Sequence, residues 1–276
     1  MPQKIDVIGD IHGRADLLTR LLRKLGYALL DGAHMHPDGR VAVFLGDLVD
    51  GDSGNLDVVE IVRAMVARGS GQQILGNHDF NIICYNRTDP ERPRKFLRSH
   101  SAMHARQCAG TQAEIEADPQ RGRDALEFLA AMPLWLNYPH MRAVHAFWDV
   151  DAQVALRPFL EFDNSLTYRG FAAVAGRTPD GDARAQLLSG PEASCEPYLD
   201  RYGNTRSMDR VAWWLNHEDT DPRPIFFGHY AMPAPLQIFG NAVCVDAGVA
   251  KGGPLAAYSH DAFAPLSQSN FTYVGN

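Results

Sequence analysis

The amino-acid sequence predicts an α/β fold built around parallel strands. Over residues 1–80, short apolar runs alternate with polar turns and with helical patterns of leucine and valine. This order of strand, turn and helix favours parallel strands joined by right-handed crossovers. In such sheets, ligands bind at the edge formed by the carboxyl ends of the strands. We therefore expect the functional side chains in the turns that follow the strands.

Three strands and two helices can be assigned in this first part from hydrophobic periodicity. Residues 4–8, 41–45 and 72–75 are runs of strand length, and each leads into a turn that combines glycine with aspartate or asparagine. The second run is almost entirely apolar, which is typical of a strand buried on both faces. Between the runs, apolar residues recur at helical spacing, at Leu17, Leu18, Leu21, Leu22 and Leu25 and at Leu56, Val59, Val62, Met65 and Val66.

The rest of the chain has a different character. Residues 91–131 are rich in arginine, alanine and glutamate at helical spacing, and they predict a helical insertion, with a cap over the site as one role for it. A helix is expected near 208–216. No clean linker interrupts the chain, so we predict a single domain over residues 1–276. Further strands are expected at 141–144, 224–227, 242–245, 255–258 and 271–274.

Composition excludes several classes of protein. The 276 residues are 45% apolar and 21% charged, which are ordinary values for a globular chain. The net charge of −7 argues against a protein that coats nucleic acid or binds an anionic membrane. No apolar run is long enough for a membrane span, and Asp6 and Asp10 interrupt the stretch that a signal peptide would need. The four cysteines form no CxxC pair, which predicts reduced thiols and a cytoplasmic location. The oligomeric state is left open.

Polar side chains at the ends of the apolar runs carry the chemistry of this sequence. Phosphate-binding loops of the GxxxxGK[ST] or GxGxxG type, the GxSxG nucleophile motif and the HExxH zinc motif are all absent. Carboxylate and amide oxygens mixed with imidazole suit Mn, Fe or Zn. Carboxylates gathered at one sheet edge would repel each other, and cations remove that repulsion. The residues concerned are Asp10, His12, Asp47, Asp50, Asn77, His78, His145 and His229.

The order of these motifs resembles that of the calcineurin-like metallophosphoesterases. The matching segments are Gly9-Asp10-Ile11-His12-Gly13, Gly46-Asp47-Leu48-Val49-Asp50, Gly76-Asn77-His78-Asp79, Val144-His145 and Gly228-His229. The residues of the first two segments look like those of the phosphoprotein-phosphatase branch of this family. That branch also includes symmetrical diadenosine tetraphosphatases. The segment 244–255 resembles the final strand pair of that branch. The resemblance implies an α/β sandwich of two mixed sheets flanked by helices.

The resemblance also implies roles for the individual residues. Two divalent metal ions are expected, Mn²⁺ first, with Fe, Zn, Co or Ni as alternatives. A hydroxide that bridges the metals would attack phosphorus directly, His78 would protonate the leaving oxygen, and Asp50 would orient His78 and raise its pKa. Asn77 would also touch the phosphate. The metal ligands would be Asp10 and His12 for the first ion, Asp47 between the two ions, and Asn77, His145 and His229 for the second.

One departure from the family pattern affects substrate binding. The family has an arginine directly after the second motif, whereas this chain has Gly51 followed by Asp52. An arginine fork on phosphate is strong and directional, and glycine cannot replace it. The sequence leaves open which arginine acts instead, the candidates being Arg94, Arg98, Arg169 and Arg177.

Three functions are compatible with these residues. The first is hydrolysis of phosphomonoesters, including phosphoproteins, because the Asp50 and His78 pair is intact. The alternative is symmetrical hydrolysis of dinucleoside tetraphosphates, which the apolar start of the helix after His78 suggests. The least favoured is an inactive regulatory or scaffold homologue. The expected partner is a phosphorylated small molecule, a nucleotide or a phosphoprotein.

Overall fold

Two mixed sheets form the centre of the protein, and the apolar runs of the sequence supply their inner strands. The computed structural model describes residues 3–176, 178–199, 205–217 and 220–275. The strands are β1 (Lys4–Ile8), β2 (Ala28–Leu30), β3 (Ala33–Met35), β4 (Val41–Phe44), β5 (Gly71–Gln73), β6 (Thr88–Asp89), β7 (Arg92–Phe96), β8 (Trp135–Tyr138), β9 (Met141–Val144), β10 (Glu192–Leu199), β11 (Thr205–Arg210), β12 (Ile225–Phe227), β13 (Ile238–Phe239), β14 (Ala242–Cys244), β15 (Leu255–Asp261) and β16 (Phe271–Val274).

Helices flank the sheets and connect the parallel strands. They begin and end where the helical periodicity of the leucines and valines does, within a residue or two, in the first part of the chain. None of the helices in the described ranges is long and apolar enough to span a bilayer. The helices are α1 (Ala15–Lys24), α2 (Asn55–Ala67), α3 (Asn77–Asn86), α4 (Ala102–Gln107), α5 (Ala109–Ala117), α6 (Pro119–Ala130), α7 (Val150–Leu156), α8 (Tyr168–Val174) and α9 (Pro179–Ser189).

Each main sheet has five strands and combines parallel with antiparallel pairs. The first sheet has the order β16-β15-β1-β4-β5, in which β1, β4 and β5 are parallel and β15 and β16 are antiparallel. The second has the order β13-β14-β12-β9-β8, in which β9, β12 and β14 are parallel. The predicted sandwich of two mixed sheets flanked by helices is confirmed. The carboxyl ends of all six parallel strands lead into the turns considered below.

Successive side chains of a strand point to opposite faces of its sheet, so the same strands contribute to two buried layers. Val7, Val43 and Phe226 belong to the core between the two sheets, while their neighbours Ile8 and Phe44 belong to the core beneath the helices. All of these side chains are fully buried. Because both faces of the strands are covered, the strands read as continuous apolar runs in the sequence.

Two of the sequence expectations for the later chain need correction. The insertion at 91–131 is helical from Ala102 onward, but it begins with the β6–β7 hairpin, in which Arg92–Phe96 is a strand. The helix expected at 208–216 is wrong, because residues 205–210 form β11 and a 3₁₀ turn follows at Trp213–Leu215. Strand β11 pairs with β10, with Met208 opposite Ser194. That long-range ladder supplies the backbone hydrogen bonds, and it overrides local helical preference.

Candidate metal centre

The turns that follow β1 and β4 lie side by side and are joined by backbone hydrogen bonds. The amides of Ile11 and His12 both donate to the carbonyl oxygen of Asp47 at 3.0 Å, and Gly13 donates to Leu48 at 2.9 Å. Because these strands are parallel neighbours, their turns meet at one edge of the sheet. This pairing fixes the Asp10–His12 turn against the Asp47 turn.

Asp79 joins the second turn to the third. Its carboxylate accepts hydrogen bonds from the amides of Leu48 and Gly76, both at 3.0 Å, and it is fully buried. In the sequence, Asp79 belongs to the motif Gly76-Asn77-His78-Asp79, but no role was predicted for it. Its position in the first turn of α3, where an acidic side chain can bond back to the backbone before the helix, is the signal that could have identified it. Burial and the nearby Asp47 raise the pKa of Asp79 to about 7.

The second sheet contributes two histidines to the same place. His145 follows β9 and His229 follows β12, and the amide of Gly228 donates to the carbonyl of His145 at 2.8 Å. The amide of His229 donates to both carboxylate oxygens of Asp10, at 3.1 and 3.2 Å. The two sheets are therefore connected at the edge where the polar turns gather.

Four of these residues have left-handed backbone conformations. The φ angles are 47° at His12, 50° at Asp47, 67° at Asp50 and 65° at His229. Residues other than glycine rarely adopt this region, because the Cβ atom crowds the backbone, and each case costs on the order of 1–3 kcal/mol. Strain of this kind clusters at functional sites, where the surrounding structure holds it in place.

The donor atoms of the six predicted metal ligands lie close together around Asp47. The Nε2 atom of His145 lies 3.1 Å from Asn77 Oδ1 and 3.4 Å from Asp47 Oδ1. His229 Nδ1 lies 2.8 Å from the same Asn77 oxygen. On the other side of Asp47, His12 Nε2 lies 3.7 Å from Asp47 Oδ2. These spacings are close to the roughly 3 Å between neighbouring ligands around a cation with bonds of about 2.1 Å.

Asp47 belongs to two separate groups of donor atoms. One group consists of Asp47, His145 and His229, and its ligand atoms all lie within 4.8 Å of one another. The same is true of His12, Asp47 and His78. Asp10, the other ligand expected beside His12, has its Oδ2 atom 3.9 Å from His12 Nε2. The arrangement offers two cation positions that share one carboxylate.

The imidazole rings are oriented by their outer nitrogen atoms. His12 Nδ1 donates to the carbonyl of Val49 at 3.1 Å, and His145 Nδ1 donates to that of Leu45 at 2.6 Å. Each bond leaves Nε2 facing the site, which is the usual way in which a metal-binding histidine is held. The Nε2 atom of His229 is buried and has no hydrogen-bond partner among the described residues.

Burial and neighbouring charges shift the pKa values of the site residues in different directions. Burial and the charges of Asp246 and Asp47 raise the pKa of Asp10 well above its usual value. Burial acts in the same direction on Asp47, but the surrounding histidines outweigh it and hold the pKa of Asp47 well below its usual value. Burial opposes protonation of His145, yet Asp47 raises its pKa to about 10. Divalent cations would relieve this conflict, so the donor set fits a two-cation centre.

His78 and Asp50 form a hydrogen-bonded pair at the mouth of the site. His78 Nδ1 lies 2.8 Å from Asp50 Oδ2, with the Asp50 side chain fully buried and that of His78 30% exposed. Burial opposes protonation of His78, but the carboxylates of Asp47 and Asp50 outweigh it and raise its pKa. Thr111 holds the other oxygen of Asp50 with a hydrogen bond of 2.9 Å.

Sequence reasoning also missed a sixth turn, which contains Asp246. This residue follows β14, and its carboxylate accepts from the amides of Ala231 at 2.6 Å and Gly248 at 2.8 Å. It therefore holds the chain that follows His229. The signal was present in the sequence, because Asp246 comes after a short apolar run just as Asp10 and Asp47 do.

The structure explains why Gly51 stands where the family has an arginine. A Cβ atom on Gly51 would lie 1.9 Å from the carbonyl oxygen of His12, closer than any side chain can come. On the other side, a Cβ atom added to Gly110 of α5 would lie 2.1 Å from the Gly51 carbonyl oxygen. Glu114, also on α5, accepts hydrogen bonds from the amides of Asn55 and Leu56 at the start of α2. The insertion thus packs against the second turn and supports it.

The candidate arginines differ in where they lie. Arg94 on β7 and Arg169 on α8 have exposed side chains, and Arg177 lies outside the described residues. Arg98 is half-buried, and its amide donates to the carbonyl of Cys84 on α3 at 3.0 Å. Arg98 is therefore the candidate that packs beside the site.

Comparison with known proteins identifies related sequences along most of the chain. The model of the calcineurin-like phosphoesterase family matches residues 3–262. A protein of Halalkalibacterium halodurans named bis(5'-nucleosyl)-tetraphosphatase PrpE (asymmetrical) is 43% identical over 262 residues, covering 92% of this chain and 89% of the relative. A Bacillus subtilis protein of the same name is 35% identical over 97 residues, covering 35% of this chain and 40% of the relative. The second match thus spans less than half of the relative's length.

Solved structures with the same fold include phosphatases. A serine/threonine phosphatase from Saccharomyces cerevisiae with similarity to human phosphatase PP5 superposes with a TM-score of 0.54 at 16% identity, covering 99% of this chain and 80% of that one. A cold-active protein-tyrosine phosphatase from Shewanella sp. gives 0.53 at 16% identity, covering 94% and 76%. At this level of identity the likeness concerns the fold.

Replacing Asp47 with asparagine tests the shared carboxylate. Asp47→Asn keeps the shape of the side chain but removes its charge, so we expect metal content to fall from two ions to fewer than one per chain. Elemental analysis of dialysed protein measures this, with circular dichroism to verify folding. The control is Asp52→Asn, an exposed carboxylate in the same loop. Retention of two ions by Asp47→Asn would contradict the assignment.

A side chain at position 51 should damage the site rather than complete it. Gly51→Ala forces the His12 backbone away, and Gly51→Arg does so further, so we expect a stability loss of about 1–3 kcal/mol and weaker metal binding. Thermal denaturation and metal titration measure both. The control is Gly275→Ala, where the nearest atom to an added Cβ, in Pro254, would be 3.9 Å away. If Gly51→Arg folded normally with unchanged metal affinity, the close approach to His12 would be disproved.

Proposed function

The chain belongs to the calcineurin-like phosphoesterase family and is a metal-dependent phosphoesterase, and on that premise we propose that it hydrolyses dinucleoside tetraphosphates. The observation that carries the phosphoesterase chemistry is the convergence of six donor side chains from two sheets on Asp47 and its neighbours. The substrate follows from the similarity to tetraphosphatase relatives over 92% of the chain.

The position of cleavage that we propose is asymmetrical. The sequence alternative specified symmetrical cleavage, whereas the relatives are named asymmetrical tetraphosphatases. For diadenosine tetraphosphate, symmetrical hydrolysis gives two ADP and asymmetrical hydrolysis gives ATP and AMP. The product pair therefore distinguishes the two directly.

Two divalent cations would be held by the ligands gathered around Asp47. We propose Mn²⁺, with Fe, Zn, Co or Ni as alternatives, because the donors mix hard oxygen with imidazole. When bound, such ions lower the pKa of water and neutralise charge on phosphate. Asp47 would lie between the two positions. Asp10 and His12 would complete one position, and Asn77, His145 and His229 the other.

His78 would donate the proton that the leaving oxygen requires. Its ring is fixed by the bond from Nδ1 to Asp50, which leaves Nε2 free to donate. The raised pKa of His78 favours the protonated ring that a general acid requires. Asn77 would bind a phosphate oxygen through its amide NH₂ group, since its Oδ1 atom faces the cation position that it shares with the two histidines.

Hydrolysis of phosphomonoesters remains a second candidate. The observation that favours it is the Asp50 and His78 pair, which serves any alkoxide or phosphate leaving group. The inactive scaffold is not proposed, because a site released from catalysis has no reason to keep six converging ligands, three of them (His12, Asp47 and His229) in strained conformations.

The cytoplasm is the compartment that we propose. The cysteines Cys84, Cys108, Cys195 and Cys244 are all free thiols. Disulfides are rare in the reducing cytosol. The free thiols support this location without requiring it.

A substrate panel tests the proposed function. We expect Mn²⁺-loaded enzyme to cleave diadenosine tetraphosphate to ATP and AMP, with kcat/KM at least about ten times that for a phosphopeptide or for p-nitrophenyl phosphate. Products are separated by anion-exchange chromatography, and Asp47→Asn serves as the inactive control. Faster cleavage of the phosphopeptide would favour the phosphomonoester candidate, and two ADP would favour symmetrical cleavage.

His78→Ala should slow the reaction without removing metal. We expect kcat to fall by about 10²–10⁴-fold, because proton donation to the leaving oxygen is lost. The fall should be larger with phenyl phosphate than with p-nitrophenyl phosphate, since the more basic leaving group depends more on the acid. His34→Ala on β3 is the control. Loss of metal from His78→Ala would show that this residue is a ligand instead.

A further inference from the structure

Three arginines surround one side of α3, and we call Arg87, Arg98 and Arg184 the arginine cluster. The guanidinium of Arg184 lies 4.7 Å from the centre of the Phe80 ring, and that of Arg87 lies 4.6 Å from the centre of the Phe171 ring. The two rings stack with centres 5.7 Å apart. Arg98 joins the same helix through its backbone amide, which donates to the carbonyl of Cys84 on α3 at 3.0 Å.

The cluster is positively charged and no carboxylate touches it directly. Across the described parts of the chain, no carboxylate forms an ion pair with any of the three arginines, although Asp50, Asp182 and Glu127 each attract one of them from further away. The hydrogen bonds of their guanidinium groups go to neutral acceptors, from Arg184 Nε to the carbonyl of Val174 at 3.3 Å and from Arg98 to Gln107 Oε1 at 2.5 Å. All three side chains are half-buried, and burial lowers the pKa of each. Gathering half-buried cations is unfavourable unless an anion joins them.

The cluster lies along α3, the helix that also carries the general acid. Phe80, against which Arg184 packs, follows Asn77 by three residues, or about 4.5 Å along the helix axis. Arg98 lies close enough to Asp50 for the two charges to attract. Burial lowers the pKa of Arg98, and the Asp50 carboxylate opposes this effect. Asp50 in turn holds His78. The positive charge therefore extends from the His78 side of the metal centre along α3.

We propose that the arginine cluster binds the phosphates on the leaving-group side of a polyphosphate substrate. This proposal rests on the proposed function and names the part of the site that would distinguish a tetraphosphate from a phosphomonoester. A phosphomonoester has no phosphate beyond the bond that breaks, so it cannot use the cluster. Guanidinium forks match phosphate oxygens in charge and geometry. Arg98 and Arg184 would thereby take over anion binding that position 51 cannot provide.

A purely structural role is the competing explanation. Arginines stacked on aromatic rings can stabilise a fold without binding any ligand. In that case, substitution would lower stability and would reduce turnover of all substrates by the same factor. A ligand-binding role instead predicts a loss that depends on the number of phosphates in the substrate.

Substitution of the two arginines nearest His78 tests the proposal. For Arg98→Gln and Arg184→Gln, we expect KM for diadenosine tetraphosphate to rise about 10- to 100-fold, the effect of losing a charged hydrogen bond to phosphate. The fall in kcat/KM should be at least about ten times larger than for p-nitrophenyl phosphate. Arg184→Lys, which keeps the charge but not the fork, should lose less. Arg20→Gln, an exposed arginine on α1, should match the wild type on both substrates.

Inhibition by inorganic tripolyphosphate separates this proposal from the proposed function. With p-nitrophenyl phosphate as substrate and free Mn²⁺ held constant, tripolyphosphate should inhibit Arg98→Gln and Arg184→Gln at least about ten times more weakly than wild type. If the wild type does not cleave tetraphosphates but tripolyphosphate still inhibits the variants more weakly, phosphate binding by the cluster is supported and the proposed nucleotide substrate is wrong. Equal inhibition, or an equal loss with both substrates, overturns the cluster. Melting temperatures identify a variant that is merely unfolded, and the other variant then decides.

Discussion

The structure depends on bringing Asp10 and Asp47 together in a buried space. Two carboxylates would normally avoid such a place, because burial and mutual repulsion both oppose their charges. Backbone hydrogen bonds enforce the approach: the carbonyl of Asp47 accepts from the first turn, and Asp10 accepts from the amide of His229. The opposed pKa shifts of Asp10 and Asp47 show the conflict that results. A pair of divalent cations would relieve it, so the constraint that brings the carboxylates together also favours metal binding.

The sandwich supplies this approach because six parallel strands end at one edge. Three of them belong to each sheet, and every one leads into a polar residue of the site or its support. Asp79 and Asp246 contribute no obvious chemistry, yet each bonds two backbone amides and thereby fixes a turn. Left-handed conformations at His12 and Asp47 persist because these neighbours hold them. Rigid support around strained ligands is what lets a metal centre keep its geometry.

The helical insertion has a structural role in the site. Through Thr111 it positions Asp50, and through Glu114 it caps α2 behind the second turn. Position 51 is closed by the first turn, because a Cβ atom on Gly51 would lie 1.9 Å from the carbonyl oxygen of His12. The absence of the family's arginine therefore goes with the close approach of the first two turns, and the arginines beside α3 are a separate source of positive charge. Substrate recognition in this chain has to come from a different surface than in relatives that carry the arginine.

The sequence by itself determined the six parallel strands of the two main sheets, the first two helices and the order of the polar turns, because these follow from local periodicity and from glycine in tight turns. It also singled out Asp47 and the five polar residues around it, since the ends of parallel strands must share an edge, and the family resemblance implied their role as metal ligands. Only the tertiary structure decided that 205–210 is a strand, that Thr111 and Glu114 hold the second turn, and that Arg98 and Arg184 both lie along α3. The hydrogen bonds of Thr111 and Glu114 join residues 61 and 58 positions apart. Local sequence carries no record of such pairings, because they depend on how whole elements pack.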